Sequence, residues 1–120
     1  MLLNGLELIN HDSLRLYQFG PEFQVITEEM IPPLTLYFLE NAAKPPYDVI
    51  MDLRHTTFFG SSFLEVLLKL WSRIKAQNGR LAIAGLTPHC VDVLRVSHLD
   101  RLWTITDKLA DAVALLKPPT

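Results

Sequence analysis

The sequence predicts an α/β domain built on a mixed, mostly parallel sheet of about five strands with four helices. Two short apolar runs, Val49–Met51 and Leu81–Ala84, are continuous rather than alternating, which suits strands covered on both faces. Segments of helical periodicity follow both runs, giving the order β, β, α, β, α, β, α, β, α. Strands that alternate with helices imply right-handed crossovers and parallel pairing. The length of 120 residues matches one domain.

The predicted strands are short and end at turn-forming residues. They cover Leu6–Asn10, Leu14–Phe19, Tyr47–Leu53, Arg80–Gly85 and Leu102–Ile105. Only the turn cluster His11–Ser13 separates the first two strands, so we expect them to form an antiparallel hairpin.

The predicted helices are bounded by proline, glycine and capping residues. They run from about Pro33 to Ala43, from Ser61 or Ser62 to Asn78, from Pro88 through Leu94, and over Leu109–Leu116. Pro33 is expected to start the first helix because it disfavours the α conformation at Pro32. Gly79 is expected to stop the second helix in the left-handed conformation.

The second helix carries more apolar surface than one sheet contact uses. Its apolar residues span roughly 200° of a helical wheel, about twice what packing on a sheet requires. They are Phe63, Leu64, Val66, Leu67, Leu68, Leu70, Trp71 and Ile74. Two interpretations are open for Phe63, Val66 and Leu70: packing on the helix that begins near Pro88, or contact with a partner protein.

The composition argues against several classes of protein. A net charge of −2 without a basic cluster argues against binding nucleic acid. A membrane-spanning helix needs about 18 apolar residues in a row, and no run of that length is present. The first residues lack the basic region of a signal peptide, so none is expected. We therefore expect a cytoplasmic protein without membrane insertion. Cys90 is the only cysteine and no Cys/His spacing is typical of a metal site, so neither metal nor cofactor is expected.

The candidate site is the loop that enters the long helix, because sites in such sheets form where parallel strands end. This loop covers Arg54–Ser62 and closes with two serines. Ser62 and Glu65 fit a capping box, with Ser61 as the other candidate cap. The alternative is a phosphorylation site, since a phosphate at a helix start meets N–H groups and the positive end of the dipole. Such a phosphate is compatible with the fold yet adds charge that disrupts a docked partner.

A small serine hydrolase is a further alternative. Gly60 and Ser62 match the first half of a G-x-S-x-G nucleophile elbow, but Leu64 replaces the second glycine. His89 or His98 would have to act as the base, and nothing in the sequence places either beside Ser62. No catalytic residue is therefore assigned.

From Tyr47 onward the chain resembles the STAS domain family, typified by bacterial anti-sigma-factor antagonists. The segments that carry the resemblance are Asp48–Leu53, Phe58–Leu64, Gly79–Leu81, Val93–Leu94, Leu99–Trp103 and Ala110–Leu116. It is strongest over residues 47–117, and residues 1–120 are expected to form a single STAS-like domain.

The family pattern at the functional loop is Asp-Ser-Ser/Thr-Gly-Leu, in which a partner serine kinase phosphorylates the second hydroxyl residue. Ser62 matches that residue and Ser61 the serine before it, whereas Gly60 replaces the family Asp and Phe63 the family Gly. The resemblance implies Ser62 as the phosphoacceptor, with Ser61 as second choice. The candidate partner-binding residues are Gly60, Ser61 and Ser62 of this loop together with Phe63, Val66 and Leu70 of the wide apolar arc.

The resemblance implies a non-enzymatic role in signal transduction and transcription regulation. In such a partner switch the unphosphorylated form binds an anti-sigma factor kinase, which frees a sigma factor, and phosphorylation breaks the complex. The departures at Gly60 and Phe63 keep a second interpretation open. In that interpretation the protein is an unphosphorylated STAS scaffold or accessory subunit, in a signalling assembly or a lipid or anion transport system. A homodimer is open in either case.

Overall fold

The computed structural model describes residues 3–116. Within them one helix follows each group of one to three strands. They are β1 Leu6–His11, β2 Leu14–Phe19, β3 Val25–Ile26, α1 Ile31–Ala42, β4 Asp48–Asp52, β5 Phe58–Phe59, α2 Ser61–Lys75, β6 Leu81–Ala84, α3 Pro88–Val96, β7 Thr104–Thr106 and α4 Leu109–Leu116. Short 3-10 turns at 21–23, 28–30 and 99–101 connect them.

The main sheet has five strands in the order β1-β2-β4-β6-β7. β1 and β2 pair antiparallel as the predicted hairpin, and the other neighbours pair parallel. The predicted mixed, mostly parallel sheet of five strands with four helices is therefore confirmed for residues 3–116.

The central strands are apolar on both faces because each face meets a different helical layer. Alternate residues of β4, Val49 and Met51, join the large core that includes α1 and α2. Ile50, between them, points to the opposite face, where it packs with Ala112 and Leu116 of α4. The continuous apolar run thus reports burial on two sides, as expected for a strand at the centre of a parallel sheet.

Two very short strands form a second, separate sheet that the sequence did not predict. β3 pairs parallel with β5 in the register Val25 with Phe58 and Ile26 with Phe59. Each strand has two residues, too few for alternation to be visible in the sequence. This pairing brings the chain ahead of α1 to the start of α2.

Some predicted boundaries were wrong at prolines and near the last strand. α1 begins at Ile31 rather than Pro33, with Pro32 and Pro33 in its first turn, where their missing N–H groups have no intrahelical partner in any case. β7 covers Thr104–Thr106 rather than Leu102–Ile105, because Leu102 closes the preceding 3-10 turn.

The end of α2 differs from the prediction in which residue turns left-handed. The helix ends at Lys75, and Asn78 has the positive φ of 62° that was expected of Gly79. Gly79 is needed for space instead: an added Cβ would lie 2.2 Å from the Tyr47 carbonyl oxygen. Its N–H donates to the Ile74 carbonyl over 2.7 Å, which closes the turn.

No helix among residues 3–116 combines the length and apolar character needed to cross a membrane.

Candidate functional site

The candidate site is where β5 leads through Gly60 into α2. The preceding loop is fixed to the segment that holds β3. The Thr56 hydroxyl donates to the Phe23 carbonyl over 2.8 Å, and the Thr57 N–H donates to the Gln24 carbonyl over 2.7 Å. The start of α2 and the chain before α1 therefore form one surface.

Neither serine caps α2, which corrects the predicted capping box. Gly60 is the N-cap, in the extended conformation with φ −98° and ψ −176°, and no side chain of residues 3–116 accepts a hydrogen bond at the cap. Ser61 and Ser62 are the first two residues of the helix. Both hydroxyls lie at a helix start that lacks a side-chain cap, the positive end of the helix dipole.

Ser62 makes a contact that the sequence did not reveal. Its Oγ donates a hydrogen bond to Oε1 of Glu28 over 2.7 Å, across 34 positions of the chain. Glu28 lies in the 3-10 turn between β3 and α1. Ser62 is half-buried and Ser61 exposed, so the two serines differ in both exposure and bonding.

The structure corrects the partner contacts expected at Phe63, Val66 and Leu70. These side chains are 0%, 3% and 0% exposed, so the folded chain does not offer them to a partner. The surplus apolar arc of α2 is used because α1 packs along the helix while the sheet covers its other apolar flank. The first of the two interpretations was right that a helix covers the arc but wrong about which one: the neighbouring helix is α1 rather than α3.

Two other apolar side chains lie exposed beside the serines. Phe58 is 50% exposed and Val25 is 44% exposed. The β3–β5 register sets them side by side on the outer face, while Ile26 and Phe59 fill the core. In the sequence, the adjacent aromatics Phe58 and Phe59 were the only sign of this exposed surface. Neighbouring residues of a strand point to opposite faces, so only one of the two rings can face the core.

The exposed apolar surface continues from Phe58 onto α3. The His89 ring stacks on Phe58 with 6.4 Å between centroids and 14° between planes. His89, Val93 and Val96 then line a shallow groove of about 320 Å³ along α3. Val96 is 80% exposed. We refer to Val25, Phe58, His89, Val93 and Val96 together as the apolar strip.

The geometry gives no support to a hydrolase. Among residues 3–116 the Ser62 hydroxyl has a carboxylate rather than an imidazole as its partner, and His89 stacks on Phe58. His98 follows α3 with a φ of 60° and is exposed. Cys90 is buried and belongs to the main core.

Fold and site together define the class: a small α/β domain in which a serine pair opens α2, the helix that lies in the chain between the parallel strands β4 and β6. A family model of the STAS domain matches residues 22–112. The chain therefore belongs to the STAS domain family, and the match begins well ahead of the Tyr47 region that carried the sequence resemblance.

Similar proteins agree with this assignment. A STAS-domain containing protein from Pseudomonas aeruginosa (strain UCBPP-PA14) is 30% identical over 67 residues, which are 56% of this chain and 66% of that relative's length. The solved structure of an anti-sigma-factor antagonist (STAS) domain protein from Planctomyces limnophilus is 31% identical, with a TM-score of 0.81 over 93% of this chain and 98% of that one. A putative anti-sigma factor antagonist from Thermotoga maritima has a TM-score of 0.83 over 98% of both chains at 15% identity, which shows a shared fold.

Proposed function

We propose that this protein is a regulator of the anti-sigma-factor antagonist type, which acts by binding a protein partner in a switch controlled at Ser62. The observation that carries the proposal is the position of Ser62. It lies in the first turn of α2, at a helix start without a side-chain cap and beside the exposed pair Val25 and Phe58. An apolar surface next to a residue that can gain charge is what a reversible protein contact requires.

Phosphorylation of Ser62 is chemically compatible with the fold. Transfer of the γ-phosphoryl group of ATP would form the Oγ–P bond, release ADP and pass the hydroxyl proton to a base of the kinase. The phosphate would lie at the positive end of α2, which favours negative charge. A partner docked on the same spot would face roughly two added negative charges and lose affinity.

The partner we propose is an anti-sigma factor with serine kinase activity, and the protein itself acts by binding rather than by catalysis. Its docking surface comprises Gly60, Ser61, Ser62 and the apolar strip. This surface replaces the buried Phe63, Val66 and Leu70 of the sequence-based expectation. The large aromatic Phe58 is the kind of side chain that dominates the binding energy of protein interfaces.

The proposal is tested with the protein that co-purifies from the native cells, once that protein is identified. We expect incubation with this partner and ATP to add one phosphate to the intact mass of wild type and of Ser61→Ala, and none to Ser62→Ala. We also expect Ser62→Glu to bind the partner at least about tenfold more weakly than wild type, because the added charge faces the interface. Equal affinity of wild type and Ser62→Glu would refute the switch.

A second candidate is a STAS scaffold or accessory subunit without phosphorylation. The observation in its favour is the hydrogen bond from Ser62 to Glu28, which already occupies the acceptor hydroxyl with a carboxylate. In this case partner binding persists but the intact mass of wild type stays unchanged after incubation with the partner and ATP.

A further inference from the structure

The Ser62 hydroxyl is the donor in a contact that joins two otherwise separate parts of the chain. Ser62 opens α2, while Glu28 lies in the turn just before α1. The bond to Oε1 of Glu28 is 2.7 Å long, the ordinary length for a hydroxyl that donates to a carboxylate. It therefore depends on the proton of Ser62 and on the negative charge of Glu28.

The segment that Glu28 belongs to also carries one wall of the apolar strip. Val25 lies three positions before Glu28, in β3, and is the register neighbour of Phe58. β3 has only two residues, so few backbone bonds hold it. The N–H groups of Thr57 and Phe58 both donate to the Gln24 carbonyl, over 2.7 Å and 3.3 Å. The hydrogen bond between Ser62 and Glu28 is therefore one of a small number of contacts that hold this segment against the site.

A negative group on Ser62 changes both halves of the contact. It removes the donor proton, and it places a second negative charge against the carboxylate that accepted the bond. Like charges in contact repel, and the repulsion acts on a segment that Ile26 anchors in the core but whose outward-facing residues, Val25 and Glu28, are held by few contacts.

We propose that Glu28 is the positioning residue that couples the charge of Ser62 to the apolar strip. With neutral Ser62, Glu28 holds the Val25–Met30 segment against the start of α2. With a charged group at residue 62, Glu28 is repelled, the segment loosens, and Val25 leaves its place beside Phe58. This inference rests on the proposed switch at Ser62 and adds to it a change in the docking surface itself.

The test measures amide hydrogen exchange by NMR at pH 7 on the isolated chain, with no partner present. The reporters are the N–H groups of Thr57 and Phe58, and the N–H of Leu53, bonded to the Ala84 carbonyl over 3.0 Å, is the reference in the main sheet. We expect Ser62→Asp to speed exchange at the reporters by roughly fivefold relative to the reference. Adding Glu28→Gln to Ser62→Asp is expected to restore slow exchange, because a neutral amide donates to the aspartate where a carboxylate repels it.

The matched control is Glu29→Gln, which neutralises the neighbouring exposed carboxylate and is expected not to restore slow exchange. Unchanged exchange in Ser62→Asp would overturn the inference, and so would equal rescue by the two glutamine variants. If Ser62→Asp fails to fold, a cycle of Ser62→Ala and Glu28→Ala decides. If the two residues act through one contact, the double variant speeds exchange at the reporters no more than either single variant does. Effects of the two substitutions that add up would contradict the inference. If Ser62→Glu binds the partner as tightly as wild type does, while the exchange rates change as expected, the proposed function is rejected and the coupling through Glu28 stands.

Discussion

The ring of Phe63 meets the ring of Phe19 nearly edge-on, with 6.2 Å between centroids and 85° between planes. Phe59 lies on another side of Phe63 at 5.3 Å. Phe63, which follows the acceptor serine, is therefore anchored in an aromatic core, and its ring does not cover the Ser62 hydroxyl. Where the family pattern has glycine, this chain uses a large side chain to fix the first turn of α2 to the sheet.

Phe63→Ala is expected to lower the free energy of unfolding by about 3–5 kcal/mol, because truncating a buried phenylalanine leaves a cavity. Urea denaturation followed by circular dichroism measures the change. The control is Phe58→Ala, which removes a half-exposed ring and should cost about 1 kcal/mol or less. Similar losses for the two variants would show that Phe63 is not a core residue in solution.

The sequence predicted those parts of the fold whose burial leaves a local pattern. β4 and β6 were found because continuous apolar runs arise where two faces are covered. The sequence correctly indicated that the apolar arc of α2 is too wide for one sheet contact, but the width alone cannot tell which neighbour covers it. The sequence therefore could not decide whether Phe63, Val66 and Leu70 lie in the core or at an interface.

The candidate site was only partly predictable for a related reason. Ser62 was identified from its local context, but its partner Glu28 is 34 positions away and belongs to no repeating pattern. The exposure of Val25 and Phe58 likewise depends on the pairing of two strands of two residues each. Such contacts are fixed by the tertiary fold rather than by local propensity.

Gly60 can be replaced without steric cost, and we expect Gly60→Asp to stabilise the protein. Its backbone is extended, and apart from its chain neighbours no atom of residues 3–116 lies within 4 Å of an added Cβ. An aspartate at this cap accepts an N–H of the first turn and complements the helix dipole, so the free energy of unfolding should rise by a few tenths to about 1 kcal/mol. Thermal denaturation at low salt measures the gain.

The contrasting variant is Gly79→Ala, whose Cβ would lie 2.2 Å from the Tyr47 carbonyl oxygen. We expect it to lose about 1–3 kcal/mol because the backbone must shift to relieve the overlap. A destabilised Gly60→Asp would indicate that repulsion from Glu28 outweighs the cap.

Arg15 is a buried cation whose hydrogen bonds go to the Asn10 side chain in β1 and to carbonyl groups at the end of α1. It is 1% exposed and donates to the carbonyls of Lys44 and Pro45 over 3.3 Å and 3.0 Å, and also to Asn41. Arg15→Met is expected to cost about 3 kcal/mol or more of unfolding free energy, since these bonds involve a charged donor and their loss leaves carbonyls without a partner.

Chemical denaturation tests Arg15→Met against Arg95→Met on the surface of α3. Arg95 is exposed, and within the described part of the chain its one ion pair is with Asp92, over 3.2 Å, so its removal should change stability by about 0.5 kcal/mol or less. A small effect at both arginines would contradict the structural role of Arg15.

Tyr17 is expected to make stability fall at alkaline pH. Its side chain is fully buried, its hydroxyl has no hydrogen-bond partner among residues 3–116, and burial raises the pKa of this hydroxyl well above its ordinary value of about 10. Above about pH 10 the unfolded chain therefore loses the Tyr17 proton while the folded chain keeps it, so stability falls by up to about 1.4 kcal/mol per pH unit.

Tyr17→Phe removes this loss and is expected to be nearly neutral at pH 7, because it also removes a buried hydroxyl without a partner. The difference in unfolding free energy between wild type and Tyr17→Phe, measured from pH 8 to 11, isolates Tyr17 from the other tyrosines. A difference that stays constant with pH would mean that Tyr17 ionises equally in both states.

The apolar strip is expected to carry much of the affinity for the partner. Phe58→Ala should weaken binding by roughly tenfold or more, because a large aromatic at the centre of an interface commonly contributes above about 1 kcal/mol. The folded state should survive, since the ring is half-exposed and Phe59, not Phe58, fills the core. Isothermal titration with the identified partner measures the affinity, and circular dichroism verifies the fold.

Leu115→Ala provides the matched control for this prediction. Leu115 is 58% exposed, but it belongs to α4, which packs on the sheet face opposite to α1 and α2. Its replacement should leave partner affinity unchanged if binding uses the strip beside Ser62. Loss of binding in Leu115→Ala with full binding in Phe58→Ala would move the interface to the other face of the sheet, away from the residue that can change charge.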